Sequence, residues 1–181
     1  LLMTVMLESR VARGPAVEVF SQLQWRHSLA CGRIAAHLAR KSGLDPDDAY
    51  LSGLFHNVGV RVLLGAVGGE EPRRARPRAV VELILRRAYG LNKEVGVEWK
   101  LPHDVADAAQ RYRDYSQFDY FNPLAAVVSL ANDVCKRYGL WTQQRCINLE
   151  AHPALRLLGQ GPEIVPPQAA VMLMANKVSG M

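Results

Sequence analysis

The sequence predicts an all-α protein, and three observations carry that prediction. Apolar residues recur at steps of three and four through most of the chain. Residues that start and stop helices bracket those stretches, and no alternation of apolar and polar residues lasts long enough to form a strand. A length of 181 residues, 49% of them apolar and 22% charged, suits a globular domain with a substantial buried core.

The elements follow in order. After Gly14-Pro15, the residues Phe20, Leu23, His27, Cys31, Ile34 and Leu38 form one stripe of a long helix ending near Gly43. In "LDPDDAY", Asp45 is an N-cap, Pro46 takes the first helical position, and two further acids meet the positive helix end. The helix it opens carries Leu51, Leu54, Phe55, Val58 and Val62 and is expected to run to Gly68-Gly69. Ala79 to Tyr89 predicts another, closed by Gly90, and Asn92 is placed to cap a short helix reaching Lys100. Pro102 opens a helix to about Tyr112. The stretch "RDYSQFDYFN" has no helical period and reads as a loop with apolar anchors. Asn122-Pro123 restarts a helix through "LAAVVSLANDVCKRY", ended by Gly139. "HPALRLLG" and "PPQAAVMLMANKV" predict two more, separated by the Gly- and Pro-rich "GQGPEIVPP". Three regions result: 1–14 as the tail of an upstream helical segment, 15–139 as the helical core, and 140–181 as a C-terminal helical extension.

A net charge of +5 and a pI near 9.3 raise the question of a nucleic-acid partner. Much of the excess sits in "EEPRRARPR", where Arg73, Arg74, Arg76 and Arg78 crowd one loop. Glutamates and prolines are mixed in and no aromatic residue is interleaved for base stacking. A solvated loop accounts for these charges, and nucleic acid is not expected as a partner. No apolar run approaches the roughly 20 residues of a membrane span, so no membrane insertion is expected. The first residue is Leu with no basic leader before it, and the chain reads as a piece of a longer protein. Cys31, Cys135 and Cys146 show neither CxxC nor metal-finger spacing and read as reduced thiols of a cytoplasmic protein.

The candidate chemistry lies at two helical histidines. His27 sits on the stripe of the first long helix, and His56 sits in the second, followed by Asn57 in "GLFHNVG". A lone histidine on an apolar face is usually a hydrogen-bonded core residue. Two of them on sequence-adjacent helices that pack as a hairpin can face each other. Metal-assisted phosphoester hydrolysis uses imidazoles to hold the ion and carboxylates to supply charge. Here the side chain next to His56 is an amide, which offers a carbonyl oxygen and no charge.

Taken in order, "WRHS" at 25–28, "AYLSGLFHNVG" at 49–59, "VGVEWKLP" at 95–102 and "VVSLANDVC" at 127–135 resemble the HDOD family, HD-related output domains of bacterial signalling proteins. The resemblance covers about Phe20 to Gly139 and implies an HD-domain-like helical bundle related to HD phosphohydrolases. Carried over position by position, the metal ligands of those enzymes fall on His27, on His56 with Asn57, near Asn92 or Lys93, near Arg111 and Tyr112, and on Asn132. Asp133 follows about 100° further round its helix and would restore a carboxylate if the register shifted by one. The resemblance therefore implies a retired site with no catalytic residue, no bound metal and no cofactor. Its vestiges are His27, His56, Asn57, Arg111, Asn132 and Asp133, with Arg111 expected to repel a divalent ion.

The expectation for function is a non-catalytic signalling domain that binds protein partners, with self-association left open. Candidate contact residues are Tyr112, Tyr115, Phe118 and Tyr120 of the aromatic loop, because Tyr and Arg dominate many interfaces. Phe121 is expected to turn inward. Two alternatives stand beside this reading. One is a divergent phosphohydrolase using His27, His56 and Asp133. The other is a nucleotide or cyclic-dinucleotide binder that keeps the old pocket and sets Arg111 or the loop of Arg73, Arg74, Arg76 and Arg78 against phosphate.

Overall fold

The computed structural model describes residues 15–67, 77–116, 121–141 and 144–176. Among them every regular element is helical: α1 (Pro15–Lys41), α2 (Pro46–Phe55), α3 (Val58–Val67), α4 (Pro77–Glu98), α5 (His103–Arg111), α6 (Pro123–Arg137), α7 (Pro153–Leu157), a 3₁₀ turn (Pro162–Ile164) and α8 (Gln168–Asn176). The all-α reading of the sequence holds.

Local chemistry sets the helix ends. The Asp45 carboxylate accepts from the main-chain N–H groups of Asp47 and Asp48 at 2.8 and 3.0 Å, and Asn122 accepts from Leu124 N–H at 3.0 Å. Gly43 and Gly139 take φ of +69° and +75°, a region open to glycine without strain. Behind them Leu44 N–H donates to Ala39 O and Leu140 N–H to Cys135 O, each at 2.9 Å, closing α1 and α6. The second closure turns the chain so that Leu140 and Trp141 return over α1.

Helix α1 is the spine, packed along α2, against α6 and against α8. Its Ile34, Ala35 and Leu38 are fully buried with Val127, Leu130 and Val134 of α6. Leu155 of α7 and Val171 of α8 join the same core, and Arg33 Nη1 donates to Met174 O at 2.8 Å. A second cluster gathers Trp25, Leu54, Phe55 and Val58, and a third packs Phe20, Val60, Leu64 and Ile84 between α1, α3 and α4.

Three local expectations are corrected. The buried stripe of α1 runs through Gln24 rather than Leu23, which is 40% exposed. Gln24 Nε2 donates to Ser28 Oγ at 3.0 Å and to Asn57 O at 3.3 Å, while its Oε1 has no partner among the described residues. The helix from Pro46 is not continuous; it breaks at His56–Asn57 into α2 and α3. Conversely α4 runs unbroken through Gly90 and Asn92. A mid-helix glycine costs about 1 kcal/mol, which burial of Ile84 and Ala88 on the same helix outweighs.

The α1–α2 crossing depends on bare backbone. A Cβ added at Gly53 would stand 2.7 Å from Gly32 Cα and 2.9 Å from Gly32 N, with no flexible side chain to move aside. Gly53→Ala is therefore expected to force the two helices apart and to destabilise the fold by roughly 1–3 kcal/mol. A thermal melt that does not shift would contradict this packing.

Candidate functional site

The break after Phe55 creates the site. Leaving the helix at His56–Asn57 frees main-chain groups that the helical ladder would otherwise satisfy, and Asn92 of α4 takes them up. Its Oδ1 accepts from Gly59 N–H at 2.9 Å, while its Nδ2 donates to His56 O at 2.6 Å and to Ala109 O at 3.1 Å. One buried amide thus ties α3, α4 and α5 to the turn that carries His56. Gly59 fits here because any side chain would overlap the Ala88 carbonyl of α4.

That turn presents His56 to His27. Both rings are buried, with Nε2 atoms 3.2 Å apart. Nδ1 of His56 lies 2.6 Å from Gly53 O, and Nδ1 of His27 lies 3.1 Å from Leu140 O. A carbonyl oxygen can only accept, so each Nδ1 carries a hydrogen, and the two Nε2 atoms face each other. His56 Nε2 then accepts from Asn57 Nδ2 at 2.8 Å. The network continues outward: Tyr112 Oη donates to Asn57 Oδ1 at 3.3 Å, and Arg113 Nε donates to Tyr112 Oη at 2.9 Å. Trp141 covers His27 with ring centroids 4.5 Å apart, and Tyr112 meets His56 edge-on at 5.0 Å. Burial pushes the His27 pKa down to about 4; the Leu140 carbonyl opposes this and Lys136 adds to it. His27 is therefore neutral at pH 7.

Asn132 lines the same cavity and lies alongside His27. Its neighbour Asp133 is engaged elsewhere, accepting from Lys136 Nζ at 2.9 Å and facing His152 Nε2 at 3.4 Å. Burial disfavours the charge of Asp133, but His152 and Lys136 outweigh it and hold the carboxyl below its ordinary range. Arg111 forms an ion pair with Asp107 at 2.6 Å and is not part of the cavity wall, which corrects its expected place over the site. Arg113, by contrast, lines the cavity. Asn92 is a buried brace rather than a helix cap, and Lys93 is exposed.

The aromatic loop is also corrected. Tyr112 and Tyr115 are 2% and 8% exposed, so they plug the interior and present no contact surface, while Phe121 faces outward at 37%. Phe118 and Tyr120 lie outside the described residues, as do Arg73, Arg74 and Arg76. Arg78 falls in the first turn of α4, not in a loop. Above the histidine pair opens a cavity of about 460 Å³ lined by Asn57, Glu82, Leu85, Arg86, Tyr112, Arg113, Asn132, Lys136, Trp141 and Arg145. Among the described residues no group of three or more His, Cys, Asp and Glu converges as a metal ion requires.

Comparison with known proteins places this geometry. The HDOD domain family matches residues 1–115. An HDOD domain protein of unknown function from Geobacter sulfurreducens shares the fold with a TM-score of 0.71 at 19% identity, over 98% of this chain and 67% of that one. A protein assigned as a phosphohydrolase from Shewanella amazonensis SB2B aligns with a TM-score of 0.52 at 14% identity, over 92% of this chain and 67% of that one. No curated protein matches the chain in sequence.

Two measurements probe the site. Asn92→Ala strands Gly59 N–H, His56 O and Ala109 O, and is expected to cost roughly 3 kcal/mol or more of stability in a denaturant titration. The second concerns pH. His27 has a folded pKa near 4 against 6.5 unfolded, so below about pH 6.5 the unfolded chain binds a proton that the folded chain refuses. Stability is therefore lost as pH falls from 6.5 toward 4, by roughly 3 kcal/mol from this residue, and then levels off. His27→Phe should flatten that part of the profile; an unchanged slope would contradict the assignment.

Proposed function

The chain belongs to the HDOD family, and we propose that it is a non-catalytic signalling domain which works by binding other proteins. The observation that carries this reading is that amides, Asn57 and Asn132, flank the His27–His56 pair. The Asn57 amide donates to His56 Nε2 at 2.8 Å. The positions where a carboxylate would supply charge hold the amides Asn57 and Asn132. Two imidazoles beside amides give a divalent ion neither enough ligands nor compensating charge, and they offer no carboxylate to activate a bound water. With Asp133 held by Lys136 and His152, the divergent-hydrolase alternative lacks its carboxylate.

A binding role needs accessible apolar surface. With Tyr112 and Tyr115 in the interior, the better candidates are Val19 and Leu23, 58% and 40% exposed and one turn apart on α1.

In assays with Mn, Mg or Fe, the protein is expected to show no turnover of phosphomonoesters or phosphodiesters, and Asn57→Asp alone is expected to create none. Turnover above background by either would overturn the non-catalytic reading. Leu23→Glu combined with Val19→Lys should abolish recovery of specific partners from a lysate of the native host, at an unchanged melting temperature. Undiminished recovery would move the contact face elsewhere.

A further inference from the structure

The cavity over the histidine pair has a floor and a rim of different character. The floor is neutral: Asn57, Asn132 and Tyr112 are all buried. The rim carries Arg86, Arg113, Lys136 and Arg145 against one carboxylate, Glu82. Glu82 is tied to Arg86 at 2.6 Å and Lys136 to Asp133 at 2.9 Å, so these charges are partly compensated. Among the described residues no carboxylate lies within ion-pair distance of Arg113 or Arg145.

Arg113 is also pre-positioned. Its guanidinium lies over the rings of Tyr89 and Tyr112, 5.0 and 5.4 Å from their centroids, and its Nε is fixed on Tyr112 Oη. That leaves the terminal amino groups with no hydrogen-bond partner among the described residues. A guanidinium held by its faces and its Nε presents a ready fork, which matches the oxygens of a phosphate group. A concave wall with an excess of one sign raises the local concentration of the opposite ion. A carboxylate at position 57 or 132 would repel an anion, whereas the amides present there can donate hydrogen bonds to it. The volume of about 460 Å³ falls in the range of small-molecule sites.

We infer that this cavity is an anion site for a phosphate-bearing small molecule of nucleotide size. Arg113 and Arg145 take the phosphate, and the Asn57–Asn132 floor with Trp141 receives the rest of the molecule. The site needs no metal ion. It goes beyond the protein-binding reading and stands independently of it, since partner capture through α1 is measured without any ligand.

The test is calorimetric titration of the purified chain with pyrophosphate and, separately, with ATP. Saturable binding is expected for both probes, weakening as salt is added. Arg145→Gln should lower affinity by about tenfold or more, as loss of a charge-assisted contact does. Arg113→Lys, which keeps the charge and loses the fork, should also lower it. Glu82→Gln, which removes the rim carboxylate, should raise it. Melting temperatures measured without ligand separate these effects from misfolding. Absence of saturable binding for both probes up to about 1 mM would overturn the inference. So would binding that none of the three substitutions alters.

Discussion

The site rests on one buried side chain. Asn92 supplies an acceptor and two donors to Gly59, His56 and Ala109, main-chain groups on three segments of chain. A helix broken inside a packed core strands peptide groups away from water, at a cost comparable to a lost hydrogen bond for each. Asn92 makes the break between α2 and α3 affordable. The break falls just after His56, which keeps helical backbone angles as the α2 C-cap and faces His27, and it leaves Asn57 where its amide can reach the pair. Residues remote from that side chain then complete the enclosure: Gly139 turns the chain after α6 so that Leu140 O meets His27 Nδ1 and Trp141 covers the ring.

The same two amides bear on both chemical readings of the cavity. Asn57 and Asn132 carry no negative charge, which withholds from a cation the field it needs and removes from an anion the repulsion it would meet. Arg113 extends the effect outward, joined to the histidines through Tyr112 and Asn57. The fold is one that an HDOD protein shares, and in weaker form one assigned as a phosphohydrolase. The chemistry of this chain is therefore decided by its side chains and not by the shared helices.

Much of the fold was legible because helix boundaries are local. Asp45 with Pro46, Asn122 with Pro123, and the glycines at 43 and 139 mark their own turns. The errors arose where tertiary contacts override local preference. Gln24 takes the buried face in place of Leu23, with its Nε2 bonded to Ser28 and Asn57. Gly90 and Asn92 read as a stop and a start, yet packing carries α4 through both. The break at His56 has no proline to mark it, and the side chain that satisfies it, Asn92, lies 36 residues from His56. Of the site, the two histidines and the amides at 57 and 132 could be named from sequence. Arg113, Lys136, Trp141 and Arg145 could not, because only the fold brings them to one rim. Tyr112 and Tyr115 misled because aromatic side chains serve cores as readily as interfaces.

The proposed loss of the metal site turns on whether the His27–His56 pair, flanked by the amides Asn57 and Asn132, takes up a metal ion. Nitrogen-15 NMR of the imidazole rings at neutral pH tests it most directly, before and after a stoichiometric addition of Zn²⁺. Both rings are expected to carry a hydrogen on Nδ1, and neither Nε2 resonance is expected to move with the metal. A hydrogen on either Nε2, or a metal-dependent shift at both of these atoms, would contradict this.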